Sequence, residues 1–166
     1  MDPSGKRAVV LGGTSGIGLA AAKQLQEAGA SVIVMSRSAD NMAAAKEVLG
    51  SDADVRQLDV LDRDAMAAVF KELAPFDILV NAATGGGRAR GPFLEMDMDG
   101  YQGSFAKLWG YANSVRYGTP CMAPDGCIVL VSGFPARKSP PGYAAIGTVG
   151  GAVFVIDRQP YLTGGR

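Results

Sequence analysis

The chain has 166 residues, 48% of them hydrophobic, with 16 basic and 16 acidic side chains and no histidine. That length suits one well-buried core and is short for two. Balanced charge gives no overall pull towards nucleic acid or an anionic membrane, so the expected partner is a small molecule or another protein.

In chain order, MDPSGKRAVV lacks the long apolar run and cleavage site of a secretory signal. No apolar run reaches the roughly 18 residues that span a bilayer, and a cytoplasmic location is expected. RAVVL, residues 7–11, is a short apolar run ending in glycines and reads as a strand buried on both faces. Ile17, Ala21, Leu25 and Ala28 recur at helical spacing, with Gly29 as the stop. SVIVM, residues 31–35, reads as a second strand. A helix over 40–49, a strand near 55–58 and a helix capped by Asp62, with Met66, Val69, Phe70 and Leu73 on one face, repeat the pattern. FDILVNAA is the fourth strand. Tyr101, Phe105, Leu108, Ala112 and Val115 predict a longer helix, and CIVLVS, residues 127–132, a fifth strand. Beyond Val153 the pattern fails. Strictly alternating strands and helices predict an α/β fold, a Rossmann-like doubly wound parallel sheet in three α/β/α layers. One domain is expected over residues 1–166. Cys121 and Cys127, in a chain without histidine, make a poor metal site, so no metal and reduced thiols are expected.

LGGTSGIG, residues 11–18, lies where the first strand turns into the first helix. Glycines at 12, 16 and 18 let the backbone approach a pyrophosphate above a helix N-terminus. Gly12, Thr14, Ser15, Gly16, Ile17 and Gly18 are therefore candidate phosphate-side residues.

LGGTSGIG, LDVLD, DILVNAA and GCIVLVSG, in that order, resemble the short-chain dehydrogenase/reductase family over roughly Lys6 to Val153. Leu11 stands where that family usually has threonine, and NAAT, residues 81–84, stands for its NNAG. The resemblance implies that Asp59 and Val60 border an adenine and that Asn81, Ala82 and Ala83 line the adenosine ribose side. NAD-selective members carry an acidic residue at the end of the second strand, where this chain has Ser36, Arg37 and Ser38. A guanidinium flanked by hydroxyls pairs with a 2′-phosphate, so NADP(H) is expected in preference to NAD(H).

The family also implies a catalytic tyrosine, a lysine four residues later that lowers its pKa, a serine that orients the carbonyl, and a helix asparagine. Anchoring on GAV, residues 151–153, puts the tyrosine position at Ile146, the lysine at Gly150, the serine at Gly133 beside Ser132, and the asparagine at Lys107. A shifted alignment makes Tyr143 the catalytic tyrosine with Gly147 as its lysine partner. Tyr143, Ser132 and Lys107 are thus the catalytic candidates. GGAVFVIDRQPYLTGG leads from the start of the catalytic helix towards the turn before a final strand, which implies a reduced C-terminal part.

The resemblance implies hydride transfer between NADP(H) and a carbonyl or alcohol substrate by a non-standard proton route. The alternatives are a non-catalytic nucleotide-binding or interaction protein on the same fold, and a fragment acting only by association. A homo-oligomer is expected through apolar surface around Phe105, Leu108 and Val153.

Overall fold

The computed structural model describes residues 2–50, 53–84 and 87–157. Five strands alternate with helices: β1 (Arg7–Leu11), α1 (Gly16–Glu27), β2 (Ser31–Ser36), α2 (Ala39–Leu49), β3 (Asp54–Gln57), α3 (Arg63–Leu73) and β4 (Phe76–Asn81). There follow α4 (Met98–Gly103), α5 (Ala106–Gly118), β5 (Met122–Leu130) and α6 (Ala144–Asp157). All strand pairings are parallel, in the order β3-β2-β1-β4-β5. The order reverses between β1 and β4, and such a reversal opens a crevice at the carboxyl ends of the strands.

Period-two alternation assigns each strand residue to a layer. Val9, Leu11, Ile33, Met35 and Leu79 pack with Met66, Phe70 and Leu73 of α3. Ala8, Val10, Val32, Val34 and Val80 face the other way, against Ala22 of α1 and Leu49 of α2. Both faces of β1 and β2 are thus covered, which explains why their sequences read as unbroken apolar runs. Ser38 and Asp62 cap α2 and α3, accepting from the amides of Asn41 and Ala65.

Three elements differ from the sequence reading. The single helix expected through Tyr101–Val115 is two, α4 and α5, and α5 buries Gly110, Tyr111, Asn113, Ser114 and Gly118, while Leu108, Ala112 and Val115 are only half-buried. Polar groups at the strand ends explain that choice of face. Asn113 Nδ2 donates to the Val60 carbonyl at 2.9 Å, Tyr111 Oη to the Val131 carbonyl at 2.7 Å, and Asn81 Nδ2 to Ser114 Oγ at 2.9 Å. β5 starts at Met122 rather than Cys127, because an irregularity opposite Phe76–Ile78 lets Met122 pair with Phe76. Helix α6 continues past Val153 to Asp157, since Phe154–Asp157 contains neither glycine nor proline. The rest of that C-terminal reading, residues 158–166, lies outside the described residues. Val153, expected on an uncovered surface, is only 2% exposed.

Among the described residues β5 is a sheet edge, and its Val129 is 48% exposed. Also among them, no helix is long and apolar enough to cross a membrane, and no group of three or more metal-ligating side chains occurs.

Candidate nucleotide and catalytic site

One cavity of about 590 Å³ lies at the carboxyl ends of β1, β2, β4 and β5. It begins at the turn between β1 and α1, passes Ser36–Ser38 on one side and Ala82–Thr84 on the other, and reaches Ser132, Tyr143 and Ile146. That volume lies in the range of small-molecule sites.

The β1–α1 turn is shaped by close approach. Gly12 has φ +72°, and a Cβ there would stand 2.6 Å from the Ala83 amide nitrogen, so the turn lies directly on the segment after β4. Ser15, at the N-cap of α1, makes no side-chain capping bond, in contrast to Ser38 and Asp62. The first amides of α1 are therefore open to the cavity, and the space beside Gly16 (φ +51°) is empty to 4 Å. Uncapped amides at the positive end of a helix dipole fit a phosphate.

Most of the sequence-derived candidates meet in this cavity. Gly12, Ser15, Gly16, Ile17, Gly18, Ser36, Arg37, Ser38, Val60, Ala82 and Ala83 all line it. Three do not. Thr14 is buried in the turn. Asp59 sits at the rim, where its carboxylate lies 3.7 Å from Arg37 Nη1 and accepts from the Leu61 amide at 2.9 Å. Asn81, expected on the ribose side, is fully buried behind the wall. Its Oδ1 accepts from the Ala83 amide at 3.0 Å and its Nδ2 donates to α5. It positions Ala82 and Ala83 rather than reaching a ligand. The Arg37–Asp59 pair is solvent-exposed on both sides, so it holds the guanidinium only weakly.

At the far end, Ser132 lines the cavity and its Oγ donates to the Gly150 carbonyl at 3.3 Å. Tyr143 stands immediately before α6, half-buried, with the Arg90 guanidinium 5.3 Å from its ring centroid. Ile146 and Gly150 face the same space. Helix α6 packs so tightly on the turn after β5 that a Cβ at Gly150 would be 2.8 Å from Ala136 Cβ. One at Gly147 would be 2.9 Å from the Pro135 carbonyl oxygen. Neither position accommodates a side chain without a shift of its neighbours, and under either alignment a glycine stands at the position of the partner cation. Lys107 also lines the cavity, with its ammonium 5.2 Å from the Tyr111 ring. Burial first, and then the nearby Arg88 charge, lower its pKa below the ordinary lysine value. Burial raises the Tyr111 phenol well above its usual value and keeps it protonated, as a donor to the Val131 carbonyl.

A family model described as "Enoyl-(Acyl carrier protein) reductase" matches residues 12–159. This chain belongs to the short-chain dehydrogenase/reductase family. It is 39% identical over 99 residues to gluconate 5-dehydrogenase of Gluconobacter oxydans (strain 621H), covering 55% of this chain and 38% of that protein. It is 48% identical over 85 residues to galactitol 2-dehydrogenase of Rhizobium johnstonii (strain DSM 114642 / LMG 32736 / 3841), covering 48% and 33%. A solved short chain dehydrogenase/reductase family protein superposes with a TM-score of 0.85 at 31% identity, over 95% of this chain and 68% of that one. The matched segments thus span about a third of the curated relatives' length.

The sequence reading missed Arg88, Arg90, Ser104 and Tyr111, all of which line the cavity. The first two lie in GGGRARGP, which reads only as a loop. The available signal was two arginines in a stretch with no acidic residue between Ile78 and Glu95. Tyr111 gave no signal, because its face of α5 is otherwise small or polar.

Proposed function

We propose that this chain binds NADP(H) and serves hydride transfer to or from a carbonyl or alcohol substrate, with the proton travelling by a route other than a tyrosine–lysine pair. The observation that carries this is the single cavity joining the uncapped start of α1 to Ser132, Tyr143 and Lys107. When bound, the cofactor supplies or accepts the hydride. The first amides of α1 hold the pyrophosphate. Arg37, with Ser36 and Ser38, holds the 2′-phosphate that distinguishes NADP from NAD. Val60, Ala82 and Ala83 wall the adenosine, with Asp59 at its rim and Asn81 as their support. Lys107 offers a cation to an oxyanion developing on the substrate, and water or Lys107 itself delivers the proton. Ser132 contributes a hydroxyl to the substrate oxygen.

Nucleotide binding without turnover is the second reading, supported by Ile146 and Gly150 where the family's tyrosine and lysine would stand. Assaying NADPH consumption over a panel of aldehydes and ketones separates the two. The expected result is measurable turnover that Tyr143→Phe changes by less than about threefold. A general acid or base contributes about 10² to 10⁴ in rate, so a hundredfold loss in the variant would make Tyr143 the catalytic acid. NADPH binding without turnover on any substrate would favour the second reading. Self-association belongs to the same proposal. Trp109 on α5 is 56% exposed beside half-buried Phe105 and Leu108, and apolar surface of this kind seeks a partner.

A further inference from the structure

The far end of the cavity is charged in one sense only. Arg88, Arg90 and Lys107 line it, and among the described residues no aspartate or glutamate does. Among the described residues none of the three forms an ion pair with a carboxylate, whereas Lys6, Arg37 and Arg56 all do. Arg88 is close enough to Lys107 to disfavour its charged form, so like charges are held together without a counter-charge.

Arg88 and Arg90 are exposed at the mouth of the cavity and Lys107 is half-buried, but the backbone that carries the two arginines is anchored. Between the two arginines, the Ala89 amide donates to Ser104 Oγ at 3.0 Å, and Ser104 Oγ in turn donates to the Gly100 carbonyl at 2.9 Å. Just after them, the Gly91 amide donates to the Gly142 carbonyl at 3.1 Å. The segment is therefore pinned to α4 on one side and to the approach to α6 on the other. These anchors also fix which end of the cavity the charges serve. Arg90 lies over Tyr143, and Lys107 over Tyr111, whose hydroxyl binds the carbonyl of Val131, the neighbour of Ser132. The nucleotide's own phosphates have separate partners, the start of α1 and Arg37.

We infer that the substrate is a carbonyl or alcohol compound bearing an oxyanion, a carboxylate or phosphate group, which Arg88 and Arg90 hold while its reacting oxygen faces Lys107 and Ser132. A planar guanidinium suits either group, since both offer paired oxygens at the spacing of its donors. This rests on the proposal that the same cavity takes NADP(H), and it adds the chemical class of the second ligand.

The test is calorimetric titration of the protein saturated with NADP⁺, at constant ionic strength, with malonate, inorganic phosphate and uncharged malonamide as probes. Malonate or phosphate is expected to bind about tenfold or more tightly than malonamide, the ratio a single charge-assisted contact supports. Arg88→Ala should remove that preference and leave NADP⁺ affinity within about twofold, while Arg88→Lys should restore part of it. Tighter phosphate than malonate would assign a phosphorylated substrate, and the reverse a carboxylate. Anion affinity equal to that of malonamide, or unchanged in Arg88→Ala, overturns the inference while the nucleotide proposal stands. Should NADP⁺ itself fail to bind, the nucleotide proposal falls, and the same titrations on the nucleotide-free protein decide the anion site by the same criteria.

Discussion

The two ends of the cavity retain different things. At the β1–α1 end, backbone geometry and side chains agree. The strands beneath are buried on both faces, the glycine turn lies on the β4 segment, and α1 starts uncapped beside Arg37. At the β5–α6 end the cavity wall rests on a half-exposed strand, at the sheet edge among the described residues, and Gly147 and Gly150 stand where the two alignments expect a cation. A pyrophosphate can be held largely by backbone shape, because main-chain amides at a helix N-terminus bind phosphate. Proton transfer needs particular functional groups in particular places. The two ends therefore place different demands on the sequence, one on backbone shape and the other on side-chain chemistry.

That contrast can be broken most forcefully at Gly12. A side chain there would meet the Ala83 backbone at positive φ, so Gly12→Val should abolish NADPH binding, with a loss of more than about a hundredfold and on the order of 2 kcal/mol or more of stability. A titration of the purified variant that leaves affinity intact would mean the turn does not carry the nucleotide. Next in size is Arg37→Ala, expected to weaken NADPH by on the order of 1 to 3 kcal/mol while leaving NADH almost unchanged. An equal loss for both cofactors would place Arg37 elsewhere than at the 2′-phosphate.

Gly150→Lys sharpens the comparison from the other end. It places a lysine where the GAV-anchored alignment expects one, at a position where a Cβ meets Ala136 at 2.8 Å, so thermal unfolding should show a loss of about 1 to 3 kcal/mol and the assay no gain in turnover. A stable, faster variant would show that packing does not exclude the lysine. The smallest effect is expected far from both ends of the cavity, at the amino end of β4. Asp77 accepts from the Arg7 amide and from Lys6, and these contacts lower its pKa, the amide most. A folded pKa below the unfolded value of about 3.9 gives stability that is present above that value and lost as pH falls through the folded pKa. Asp77→Asn should accordingly be the less stable protein at pH 7, and the gap in melting temperature should close as the pH is taken below about 4. A gap that persists in acid would assign the effect to packing.

Much of the fold was legible because both-face burial leaves a plain record. RAVVL and SVIVM mark β1 and β2 to within a residue, and Asp62 marks the start of α3. The β1–α1 turn was legible too, since Gly12 stands where the backbone meets the Ala83 segment at positive φ. α5 was misread because its buried face is polar and small, chosen to satisfy Asn81 and the strand-end carbonyls rather than to bury area. Asn81 was read as a wall residue for the same reason: sequence places it at the strand end, but only the register shows its amide turned towards Ser114. Arg88 and Arg90 escaped notice because the long-range anchors at Ser104 and Gly142 that bring them to the cavity leave no periodic trace.

The most direct measurement is a pair of calorimetric titrations of the unmodified protein, one with NADPH and one with NADH. The account predicts one site per chain that takes NADPH about tenfold or more tightly than NADH, the difference a charge-assisted phosphate contact supplies. Equal affinities, tighter NADH, or no heat with either nucleotide would contradict it.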